Sequence, residues 1–89
     1  MIDKELAIMN RLGLHARAAA RFVHLASRFR SRIHLAKDGL QVDGKSILGL
    51  LTLAGCQGSS LHLRVDGEDE EDAARELAAL VEGRFGEGS

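Results

Sequence analysis

Apolar residues in this chain switch between two spacings, and the points of change leave few architectures open. Residues 4 to 9 alternate, with Leu6 and Ile8 on one face and Glu5 on the other, as in a half-buried strand. Residues 16 to 29 change to helical spacing: Ala19, Phe22, Val23, Ala26 and Phe29 share one side, while Arg17, Arg21, His24 and Arg28 fall mostly elsewhere. Period two returns at 32 to 37, with Ile33 and Leu35 set against Arg32 and His34. Asp38-Gly39 is a hairpin signal, and Leu40 and Val42 form the second arm. Ser46 is placed to cap a short helix over Ile47 to Leu53, which Gly49 weakens. Leu61, Leu63 and Val65 alternate with His62 and Arg64 as a further strand. The acidic stretch Glu68 to Asp72 opens a last helix with Ala73, Ala74, Leu77, Leu80 and Val81 as its apolar side. Residues 86 to 89 read as a fraying tail.

The order is β-α-β-β-α-β-α. Tight turns between strands favour a mostly antiparallel sheet, and helices with one apolar stripe each should cover one of its faces and leave the other wet. The expectation is an α+β open-faced β-sandwich: four strands, three helices on one face, and a single domain over 1–89. With 89 residues there is room for one core only.

Composition narrows the function classes. A net charge of −1 gives no global pull toward nucleic acid or an anionic membrane. Arg17, Arg21, Arg28, Arg30 and Arg32 form a local basic run, but the chain has no Trp or Tyr for base stacking, and the acidic last helix offsets the run. The single cysteine, Cys56, permits no intrachain disulfide and fits a reducing compartment. The first residues are charged and carry no apolar signal core, and no apolar run is long enough to span a bilayer, so the chain reads as cytoplasmic. Among His15, His24, His34 and His62, none has a second ligand at a convincing metal spacing, and no metal or cofactor is expected.

Gly13-Leu14-His15-Ala16-Arg17 places a histidine where a strand gives way to a helix. The first N–H groups of a helix lack partners and form a ready anion site. Arg17 adds a planar fork of donors suited to phosphate oxygens. Positive potential there disfavours the imidazolium, and a neutral imidazole is a nucleophile. Gly13 allows torsions or close approach that a side chain would hinder. On this pattern alone, a mediocre helix cap with a solvated arginine fits as well as a phosphoryl acceptor. The second segment, Gly44-Lys45-Ser46-Ile47-Leu48-Gly49-Leu50-Leu51-Thr52-Leu53, carries more apolar residues than one face of a short helix can bury. Exposed apolar surface there points to a protein partner, and a small core that absorbs most of it is the plainer alternative.

Together the two segments resemble the HPr family, the histidine phosphocarriers of the bacterial phosphoenolpyruvate-dependent phosphotransferase system. Gly13 to Arg17 matches the active-site signature, Gly44 to Leu53 matches the serine-site signature, and the element order agrees over essentially the whole chain. The resemblance implies that His15 is phosphorylated by phospho-enzyme I on the ring nitrogen nearer the backbone, with Arg17 attending the phosphoryl group. It implies transfer to a histidine of an enzyme IIA-type acceptor. Ser46 then looks like the regulatory serine, which in many relatives is phosphorylated by the ATP-dependent HPr kinase/phosphorylase. Ile47, Leu48 and Leu51, with Ala20 and His24, resemble the partner-docking surface. Ala18 stands where many relatives have proline, a change that should cost little in a first helical turn. A monomer is expected. The other readings are a Ser46-phosphorylated signalling adaptor and a carrier for a regulatory, nitrogen-related phosphorelay.

Overall fold

Each alternating run forms a strand because one of its faces is apolar. In the computed structural model, which describes residues 1–53 and 55–87, the strands are β1 (Ile2–Ala7), β2 (Arg32–Lys37), β3 (Leu40–Asp43) and β4 (Ser60–Asp66). The helices are α1 (Ala16–Ala26), α2 (Ile47–Thr52) and α3 (Glu70–Glu82), followed by a 3-10 turn, Arg84–Gly86. The sheet order is β1-β4-β2-β3, and all three pairings are antiparallel. The expected α+β open-faced sandwich is the observed architecture. No helix among the described residues is long and apolar enough to cross a membrane.

Register explains the two faces. Leu6 lies opposite Leu61, Leu35 opposite Leu63, and Ile33 opposite Val65, and all six are buried. Phe22 of α1 and Leu77 and Val81 of α3 are fully buried against them. A side chain of this size stabilises the fold by about 1.5–3 kcal/mol when buried. On the wet face, Glu5 lies opposite His62 and Asp3 opposite Arg64. The His62 ring bridges Glu5 at 3.1 Å and Asp3 at 3.0 Å. These two carboxylates, Glu5 foremost, push the His62 pKa up.

The element boundaries move where side chains from distant segments intervene. The periodicity predicts α1 through residue 29, but regular helix ends at Ala26. Arg28 and Phe29 make tighter bonds to Leu25 and Ala26, and the Phe29 carbonyl accepts Lys45 Nζ at 2.7 Å. The last helix opens at Glu70, not in the Glu68 stretch, with Asp69 at its N-cap. The Asp69 carboxylate turns away from its own helix and accepts the Arg30 N–H at 2.8 Å, the Ser31 N–H at 2.9 Å and the Ser31 hydroxyl. These bonds, the Ser31 hydroxyl first, hold its carboxyl below the usual range.

The expected tail at 86–89 needs correction for its first half. Phe85 is fully buried and seats Gly86 and Glu87 against the body of the protein. Gly88 and Ser89 lie outside the described residues.

Candidate functional site

His15 sits at the N-cap of α1 in extended conformation, with φ −87° and ψ 179°. Gly13 sets it there. Its φ is +67°, and a Cβ at this position would lie 2.4 Å from the Gly55 carbonyl oxygen. That carbonyl accepts the Leu14 N–H at 2.8 Å, so two backbones run in direct contact under the site. Only glycine meets both demands, a left-handed torsion and the missing side chain. The His15 carbonyl then accepts the Ala19 N–H at 2.8 Å, the first turn of the helix.

The ring is held on both nitrogens. Nδ1 accepts the Arg17 backbone N–H at 3.3 Å, a long bond. Nε2 lies 2.6 Å from Glu87 Oε2. A neutral ring that accepts at Nδ1 carries its proton on Nε2 and donates it to Glu87. The other Glu87 oxygen accepts the Asn10 amide at 2.8 Å, and the same amide donates to the Gly13 carbonyl at 2.8 Å. Asn10 is fully buried, and its Oδ1 has no partner among the described residues. The Asn10 amide, and after it the His15 ring, hold the Glu87 carboxyl below its usual range against the pull of desolvation. The Arg17 guanidinium is exposed and makes no hydrogen bond or ion pair among the described residues.

Ser46 caps α2. Its Oγ accepts the Gly49 N–H at 3.0 Å, and its carbonyl accepts the Leu50 N–H at 3.1 Å. Beside it Ile47, Leu48 and Leu51 are 41%, 78% and 37% exposed, so the surplus of apolar residues in this short helix does reach the surface. Ala20 and His24 are exposed on α1, which packs against α2. Asn10 and Glu87 carry no signal that pattern reading could find. Phe85, an aromatic residue between Gly83 and Gly86, is the one hint in the sequence that the chain stays anchored beyond α3.

Comparison with known proteins identifies the family. The model of the family described as the PTS HPr component phosphorylation site matches residues 2–83. The phosphocarrier protein HPr of Cupriavidus necator is 47% identical over 88 residues, 99% of each chain. The crystal structure of HPr from Thermoanaerobacter tengcongensis matches with a TM-score of 0.95 at 44% identity, over 100% of both chains. Crh of Bacillus subtilis, a catabolite repression protein solved as a domain-swapped dimer, matches with a TM-score of 0.76 at 43% identity, over 94% of this chain and 97% of that one. On sequence and fold together, the chain belongs to the HPr family of phosphocarrier proteins.

Proposed function

We propose that this chain carries its phosphoryl group on Nδ1 of His15, taking it from phospho-enzyme I and giving it to a histidine of an enzyme IIA-type acceptor. The observation that supports this most is the weak engagement of Nδ1. Its hydrogen bond is a 3.3 Å contact from the first turn of α1, so the lone pair is readily freed for attack on phosphorus. The bound phosphoryl group then replaces the ring as acceptor for that helix terminus, and the exposed Arg17 fork is free to meet its oxygens. These interactions are moderate, as a carrier requires. A site that trapped phosphohistidine would fail as a donor.

Ser46 serves as the regulatory site in this reading. A phosphate there adds roughly −1.5 to −2 charge at the start of α2. The helix tolerates that charge, but a partner seated on Ile47, Leu48 and Leu51, with Ala20 and His24, must desolvate it. The protein acts as a cytoplasmic monomer, and where the host has an HPr kinase/phosphorylase, that enzyme acts on Ser46. The likeness to Crh favours a second reading, in which phospho-Ser46 makes the chain a signalling adaptor or a carrier in a regulatory relay. The intact His15 site favours the carrier.

The test is incubation with phosphoenolpyruvate and enzyme I. The expected product is an acid-labile, base-stable phosphate that disappears in His15→Ala and persists in Ser46→Ala. Label that survives without His15 overturns the assignment.

A further inference from the structure

The carboxylate on the far side of the His15 ring has no part in the chemistry described so far. We infer that Glu87 is a positioning residue for phosphoryl transfer: it holds His15 with its proton on Nε2 and offsets the charge the ring gains when Nδ1 bonds phosphorus. This inference rests on the carrier reading of His15.

Three observations carry it. The first is geometric: Glu87 Oε2 lies 2.6 Å from Nε2, and Oε1 is fixed by the buried Asn10 amide at 2.8 Å. Both side chains of the pair are largely shielded, 26% exposed for His15 and 14% for Glu87. Shielding strengthens the interaction of a carboxylate with a charged ring. The second is backbone strain. Arg84 and Phe85 both have left-handed torsions, φ 61° and 53°, without being glycine. Such conformations persist only where surrounding contacts over-determine them. Here the contacts are the fully buried Phe85 ring, the Arg21 guanidinium donating to the Phe85 carbonyl, and the Glu87 N–H bonded to the Arg84 carbonyl at 2.9 Å. The third is Asn10 itself. It is buried with Oδ1 unpartnered among the described residues, and its amide is engaged by Glu87 and by the Gly13 turn that sets His15. An apolar residue in its place would leave both the Gly13 carbonyl and Glu87 Oε1 without that donor. All three features converge on one result, a carboxylate delivered to Nε2.

The chemistry then closes without a proton transfer. The Nδ1 lone pair forms the new bond to phosphorus, and the donor's N–P bond breaks with its electron pair returning to the donor ring. Nε2 keeps its proton, so the His15 ring becomes cationic beside the Glu87 carboxylate. On transfer to the acceptor the P–Nδ1 bond breaks, its electron pair returns to Nδ1, and the ring leaves neutral. No proton has to be lost or regained in either direction.

The test uses the full chain with ring-¹⁵N-labelled histidine, and enzyme I with phosphoenolpyruvate as the phosphoryl source. In the unphosphorylated protein the ¹⁵N shifts of neutral His15 should report the Nε2–H tautomer, and Glu87→Ala should show a mixture with Nδ1–H. Glu87→Gln removes the charge and one of the two acceptor oxygens, so its NH2 must face either the Asn10 amide or Nε2. It should lose about tenfold in kcat for phosphorylation, with KM for the chain little changed. Glu87→Asp should recover part of the loss. A Glu87→Gln variant with wild-type kcat, or a Glu87→Ala variant with wild-type ring shifts, overturns the inference. If the wild-type chain accepts no phosphoryl group, the carrier reading fails, and the ring shifts still decide whether Glu87 sets the tautomer.

Discussion

The two helix starts at His15 and Ser46 look alike in sequence and are built differently. Ser46 reaches three residues ahead, and its Oγ accepts the Gly49 N–H at 3.0 Å. Nothing beyond one turn of chain is needed. His15 reaches two residues ahead with a longer bond, 3.3 Å to the Arg17 N–H. The rest of its setting is remote: Glu87 stands 72 positions away, and the Gly13 turn rests on Gly55. A firm cap uses up the acceptor that makes it, whereas a loose one leaves a lone pair for chemistry. The stiffness that α1 does not give His15 is supplied from the other end of the chain.

That contrast can be broken most forcefully at Phe85. Phe85→Ala should lower stability by about 3–5 kcal/mol, read as a shift in denaturant midpoint with unchanged slope. In the folded variant the His15 ring signals should move while the Gly49 amide stays in place. Equal movement at both would show that the two helix starts are not independent. Ser46→Asp tests the other side. The fold should tolerate it, because aspartate is a good cap and its charge suits a helix N-terminus. Phosphoryl uptake at limiting enzyme I should nevertheless fall about tenfold, from a charge set beside the exposed apolar residues Ile47, Leu48 and Leu51. Unchanged uptake would sink the role given to Ser46. The smallest effect belongs to Ser46→Ala, which removes the cap bond and should cost about 1 kcal/mol in thermal or chemical denaturation, with phosphoryl uptake retained. A loss of uptake there would mean that α2 geometry, not charge, governs docking.

The same division separates what pattern reading recovers from what it misses. Strands β2 and β4, the helix that begins at Ala16 and the cap at Ser46 follow from local spacing and local hydrogen-bond chemistry. Asp69 does not. It stands at the N-cap of its own helix, yet its carboxylate accepts from Arg30 and Ser31, residues close only after folding. Glu87 does not either, because Gly86-Glu87-Gly88-Ser89 has the composition of a loose end. What keeps Glu87 in place is Phe85 in a left-handed torsion that its residue type disfavours, and only tertiary packing sustains that torsion. His15 and Arg17 are legible as a pair. The structure ties them through the Arg17 backbone, while the guanidinium stays out in solvent.

The sheet order β1-β4-β2-β3 has a consequence for how the chain is made. β1 pairs with β4 alone, so a chain emerging from the ribosome carries its first strand unpaired until residues 60–66 have followed. Both edges of Ile2–Ala7 are open throughout that interval. Asp3, Lys4 and Glu5 occupy its middle, and a strand so charged is a poor template for pairing with its neighbours. Closing the sheet across such a separation is also the slowest kind of contact to form. The charges that meet His62 and Arg64 in the finished protein thus act before it is finished, by keeping a waiting strand from finding the wrong partner.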